Sequence, residues 1–237
     1  MTRAAAQRRV AGRAALVGAM LACASAVAQA QLGASATAVS DYRFRGVSLS
    51  ERQPALQLGL NYDAKGGSYA GASATRVALN RGQRYTELLG YAGRVVETGF
   101  GPGWEIGTVG SHFGGDSSYD FIEVYTGLVA ERWNTRLYLS PDYFGRGVAT
   151  AYLEWNGQLP LGADARLLGH AGVLAGHGGA AGNDSHRARL DTRLGVGISR
   201  GGADLQLAWV AASRGGPYPA VYDTRRSGWL FSASFAY

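Results

Sequence analysis

Cysteine is nearly missing from this chain. The single Cys23 falls within an N-terminal apolar stretch, so everything after it lacks thiols, disulfides and cysteine-based metal sites. Long apolar runs are missing as well. Beyond residue 30 none approaches the ~20 residues that a helical membrane span requires, which excludes a helical membrane protein. Proline is scarce, at 6 residues, while glycine reaches 36 and aromatics are plentiful (13 Tyr, 7 Phe, 5 Trp), a balance that fits many strands joined by turns rather than disorder or collagen. A dominant charge is also absent. Four of the 23 basic residues are Arg3, Arg8, Arg9 and Arg13, which leaves 19 basic against 17 acidic residues downstream, or +2 in place of the formal +6. The case for a nucleic-acid partner therefore lapses, and none is expected.

What is present starts with a leader. Those four arginines, with no acidic residue among them, precede an apolar run from Ala14 to Val27 and the small-residue end Ala28-Gln29-Ala30. This is the pattern of a Sec signal peptide, with cleavage expected after Ala30. Arg8-Arg9 lacks the following pattern of a twin-arginine signal. Met20-Leu21-Ala22-Cys23 has its leucine one place away from that of a lipoprotein box. The division expected is residues 1–30 as signal peptide and 31–237 as one domain.

The period of the remainder decides its class. A barrel wall in lipid alternates outward apolar with inward polar residues, whereas an amphipathic helix repeats near every 3.6. Leu56, Leu58, Leu60 and Tyr62 alternate with Gln57, Gly59 and Asn61. Ala188, Leu190, Thr192, Leu194, Val196 and Ile198 alternate with Arg187, Arg189, Asp191 and Arg193. Leu205, Leu207 and Trp209, and Leu137 with Leu139, repeat the pattern. Breaking the chain at Gly, Asn, Asp and Pro clusters predicts strands near 34–46, 54–63, 68–78, 84–96, 103–113, 119–130, 133–143, 148–159, 164–175, 187–199, 202–213 and 226–237. The fold class expected is therefore all-β, a transmembrane antiparallel up-and-down barrel of about twelve strands. Ten remains the alternative, because Ala, Gly and Ser leave the facing of the third to fifth strands open.

The chain closes on Trp229, Phe231, Ala233, Phe235 and Tyr237, in alternation with smaller residues. Such an aromatic-ended strand resembles the signal read by the barrel-assembly machinery, so Trp229, Phe231, Phe235 and Tyr237 are expected to carry it. Tyr42, Phe44, Tyr62, Tyr69, Trp104, Trp133, Tyr143, Trp155, Trp209 and Trp229 fall near predicted strand ends, where amphipathic rings suit a membrane interface.

On the predicted strands the inward charges are Arg43, Arg45, Arg136, Arg166, Arg187, Arg189 and Arg193 against Asp41, Glu123, Asp142, Glu154, Asp164, Asp191 and Asp204. Such balance points both to a pore lining and to ion pairs that brace a narrow barrel. Asn183-Asp184-Ser185-His186 supplies the residue types of a hydrolytic site, but neighbours in one loop do not form a converged triad. His112, His170 and His177 lack metal-ligand spacing. No catalysis, metal or cofactor is expected.

Ser40-Asp41-Tyr42-Arg43-Phe44-Arg45-Gly46 resembles the opening signature of the TorF family of porin-like outer-membrane proteins. Pro54-Ala55-Leu56-Gln57, Tyr69-Ala70-Gly71, Glu123-Val124-Tyr125-Thr126-Gly127 and Pro141-Asp142-Tyr143-Phe144-Gly145 are similar in spacing. The resemblance implies a barrel in the outer membrane of a Gram-negative bacterium, passing small hydrophilic solutes or ions by diffusion. Its partners would be outer-membrane lipid, the barrel-assembly machinery and the solute. A closed structural or adhesive barrel is the alternative.

Overall fold

A computed structural model describes residues 31–80, 83–99, 101–178, 188–216 and 226–237. The signal peptide expected at 1–30 lies outside them. Twelve strands form the wall: β1 (Gln31–Val39), β4 (Ala55–Asp63), β5 (Ser68–Asn80), β6 (Gln83–Val96), β7 (Gly103–Gly114), β8 (Phe121–Val129), β9 (Trp133–Ser140), β10 (Val148–Pro160), β11 (Ala165–Gly178), β12 (Arg189–Arg200), β13 (Ala203–Ala212) and β14 (Ser227–Ala236). Each pairs antiparallel with its sequence neighbour, and β1 pairs with both β4 and β14, so the sheet closes with no free edge. Ser35 faces Gly59 on one side and Ala236 on the other.

The alternation expected from the sequence sets the two faces. Leu56, Leu58, Leu60, Ile122, Val124, Leu190, Leu194, Val196, Ile198, Leu205 and Leu207 are exposed on the outer surface, as are Tyr62, Trp104, Trp155, Trp209 and Trp229. Their intervening neighbours Gln57, Glu123, Arg189, Asp191, Asp204 and Gln206 are buried inside. In water such an outer face would forfeit about 1.5–3 kcal/mol for each large side chain, so this surface belongs in lipid. The short turns at 64–67, 130–132, 161–164 and 201–202 share one rim with the start of β1 and the end of β14.

Two predicted strands end early. β1 stops at Val39 rather than 46, and β9 stops at Ser140 rather than 143. After β1 the chain leaves the wall and folds into the lumen as residues 40–50, which carry a small hairpin, β2 (Arg43–Phe44) and β3 (Val47–Ser48), before exposed residues 51–54 lead back to β4. Its two-residue turn, Arg45-Gly46, has φ of 48° and 76°, the left-handed pair that a tight hairpin requires and that glycine supplies freely. The Asp41 carboxylate ties the hairpin together, accepting from Arg43 Nε at 2.6 Å and from Ser48 Oγ at 2.5 Å.

The apolar core thus sits inside the barrel, at the end away from the short turns. Tyr42, Val47 and Leu49 of the in-folded segment pack there with Val77, Phe113, Phe121, Tyr143, Phe144, Tyr152 and Leu174. Tyr143 and Phe144 come from the β9–β10 connection, with Phe121 and Phe144 ring centroids 4.6 Å apart. Tyr42, Phe44 and Tyr143 were expected at the membrane interface and instead fill the lumen.

Candidate functional site: the barrel lumen

The in-folded segment is fixed to the wall by polar contacts at several points. Arg45 makes a bidentate pair with Glu123 of β8, at 2.8 and 2.6 Å, with both side chains buried. The same guanidinium lies 4.1 Å from the Tyr152 ring centroid and within 5.4 Å of Phe44, Tyr138 and Tyr143, an aromatic cage around one cation. Tyr42 donates its hydroxyl to Glu87 of β6 at 2.8 Å. Burial, and then the Glu87 carboxylate, hold the Tyr42 phenol well above its ordinary pKa, so it remains a donor. Arg189 donates to the Gly46 carbonyl at 3.1 Å, and the Ala78 amide donates to the Leu49 carbonyl at 2.7 Å.

A second polar layer lies nearer the short-turn rim. Arg136 pairs with Glu105 at 2.5 and 3.0 Å, and Tyr69 donates to the same carboxylate while meeting the Tyr125 hydroxyl at 2.6 Å. Arg166 pairs with Asp204 at 2.6 Å, and Arg193 donates to Gln206. His170 sits between Asn156 and Asp191, 2.7 Å from each. A small cavity of about 60 Å³ beside the in-folded segment is lined by Arg43, Arg45, Tyr152, Asn156, His170 and Asp191 among others. Inward tyrosines occupy space left by cross-strand glycines: Tyr91 opposite Gly71, Tyr69 opposite Gly93 and Tyr125 opposite Gly107.

Most of the charged residues expected in the lumen are there. Glu123, Arg136, Glu154, Arg166, Arg189, Asp191, Arg193 and Asp204 project inward from wall strands. Asp41, Arg43 and Arg45 are also inside, but on the in-folded segment rather than on β1. Two assignments are corrected. Asp142 is exposed in the β9–β10 connection, because β9 ends before it, and accepts from the Gly147 amide at 2.6 Å. Asp164 is exposed in the turn before β11, where its carbonyl accepts from Ser199. Arg187 and the Asn183-to-His186 group lie outside the described residues. His112 pairs with Asp120 at 2.6 Å near the opposite rim, and His177 is exposed.

Sequence reasoning missed Glu87 and Glu105, both buried inward-facing carboxylates. Charge was an available signal, since a carboxylate on a lipid-facing wall must point inward. Tyr69 was expected at the interface and belongs instead to the Glu105 cluster.

A closed sheet with an apolar outer face and an ion-paired interior defines a membrane-spanning β-barrel of porin-like fold. The chain belongs to the family described as a bacterial protein of unknown function (Gcw_chp), which matches residues 23–234. Curated protein sequences yield no match. Among solved structures it is similar to the KdgM porin, with 10% identity and a TM-score of 0.54 over 86% of this chain and 98% of that one. It is also similar to a structure described as "Unveiling the Mechanism Behind the in-meso Crystallization of Membrane Proteins", with 11% identity and a TM-score of 0.51 over 87% and 83%. The translocator domain of autotransporter NalP from Neisseria meningitidis matches with 12% identity and a TM-score of 0.47 over 87% and 88%. At these identities the likeness is one of fold.

Proposed function

We propose that this protein is a porin-like channel of a Gram-negative outer membrane, exported through the Sec pathway, that passes small hydrophilic solutes or ions by diffusion. The observation that carries this reading is the lining. Inward positions of wall strands bear Gln57, Glu105, Arg136, Asn156, Asp191 and Gln206, a polar composition that suits a hydrated lumen better than an apolar core. The resemblance to TorF porin-like proteins and the fold shared with the KdgM porin agree with it. Neither catalysis nor a cofactor enters this reading. The partners are outer-membrane lipid, the transiting solute and, through the last strand, the barrel-assembly machinery.

Liposome swelling tests it. Vesicles holding protein extracted from membranes of cells expressing the full-length chain should swell in small neutral sugars and slow as solute size rises. A folded barrel that gives no swelling with any solute would favour a second reading, a closed structural or adhesive barrel. The observation behind that alternative is the burial of Thr37, Thr75, Glu87, Glu123 and Ser232, which leaves little open lumen at their level.

A further inference from the structure

Residues 40–50 lie across the lumen between wall strands, with 51–54 exposed on the return to β4, and the segment meets the wall through both an apolar cluster, built on Tyr42, Val47 and Leu49, and polar ties. The Arg45–Glu123 pair holds one side, the Tyr42–Glu87 hydrogen bond another, and Arg189 and Ala78 bind backbone carbonyls of the segment. Three non-glycine residues of the segment are held at left-handed φ: Arg45 at 48°, Glu51 at 52° and Arg52 at 62°. Such conformations persist only where surrounding contacts impose them, so losing those contacts favours rearrangement.

Inward positions of the wall strands that flank the segment are polar. Thr37 of β1, Gln57 of β4, Thr75 of β5 and Ser232 of β14 all face inward and are buried. Gln57 Oε1, Ser232 Oγ and Thr150 Oγ1 of β10 have no hydrogen-bond partner within the protein. Each of these atoms calls for water or another polar partner, because an unsatisfied buried polar atom is penalised. In a hydrated passage each finds water.

We infer that residues 40–50 are a displaceable plug, that the Arg45–Glu123 pair is its latch, and that withdrawal of the plug opens the passage along the Thr37, Gln57, Thr75 and Ser232 wall. This inference rests on the channel reading. The segment joins the wall at both ends, with Ser40 bonded to Phe231 and Pro54 leading into β4. It therefore swings about those ends without leaving the protein.

Removing the plug or its latch tests this directly. Heat-modifiable migration on gels verifies folding of each variant. Glu123→Gln and Arg45→Ala should lengthen single-channel open times in a planar bilayer at least tenfold. Replacing residues 42–52 with a short Gly-Ser linker should give a permanently open, ohmic channel. Wild-type open times in the folded latch variants, together with wild-type gating in the folded plug-deleted barrel, would overturn the plug while leaving the channel reading intact. Silence from the folded, plug-deleted barrel would overturn the channel reading itself.

Discussion

Tyr91 reaches across Gly71, directly opposite it on the neighbouring strand, and a Cβ built on that glycine would lie 2.2 Å from the tyrosine hydroxyl. The inward face of β5 and β6 is thus packed by one large ring over one absent side chain. Gly71→Ala should force the ring off its site and destabilise the barrel by about 1–3 kcal/mol. Gly90→Ala, with nothing within 4 Å of its built Cβ, is the matched control and should lose nothing. Guanidinium unfolding of both variants in detergent, followed by heat-modifiable migration, makes the comparison.

Arg45 and Glu123 should show the asymmetry of a buried pair. Removing either partner alone leaves an uncompensated charge and should destabilise by about 3–5 kcal/mol, whereas replacing both with apolar residues should cost much less. A double-mutant cycle of Arg45→Met and Glu123→Leu reads this coupling. Additive losses would show that the two charges do not interact.

The outer face should reject charge according to depth. Leu194→Arg, on the lipid-facing side of β12, should destabilise by roughly 2–4 kcal/mol, while Leu161→Arg, in the turn between β10 and β11, should be nearly neutral. Equal effects at the two sites in lipid vesicles would contradict the assigned membrane band.

The barrel was legible in the sequence for a physical reason. Lipid on one side and polar lumen on the other impose a period of two, so runs such as Leu56-Gln57-Leu58-Gly59-Leu60 state both the strand and its facing. The in-folded segment was not legible by the same rule. Asp41, Arg43 and Arg45 alternate with Tyr42 and Phe44 just as wall residues do, but inside the lumen neither face meets lipid, and Arg45-Gly46 turns the chain back. Nor does Arg45-Gly46 carry the Asn-Gly or Asp-Gly composition that marks most tight hairpins. Glu87 was obscured because both Leu88 and Leu89 follow it, leaving either facing open; Glu105 was readable from its outward neighbours Trp104 and Ile106, although Gly107 and Thr108 end that alternation. The two misplaced acids, Asp142 and Asp164, fall where predicted strands ran past their true ends.

The last strand supplies a prediction about assembly. Phe235 pairs with Ala36 of β1 and Ala203 of β13, and Tyr237 exchanges backbone hydrogen bonds with Ala34, so the chain end forms part of the closing seam. Trp229, Phe231, Phe235 and Tyr237 all point outward from it. Deleting residues 235–237 should abolish insertion, read as loss of the heat-modifiable form from membrane fractions. Normal levels of that truncation would show that closure and assembly do not need the terminal aromatics.

Single-channel recording of the wild-type protein in a planar bilayer, with reversal potential measured in a salt gradient, tests the central claim most directly. The account predicts discrete ohmic openings separated by long closures, with weak ion preference because the lumenal charges are largely paired. Unbroken silence from protein shown to be folded and inserted would contradict it and leave a closed barrel.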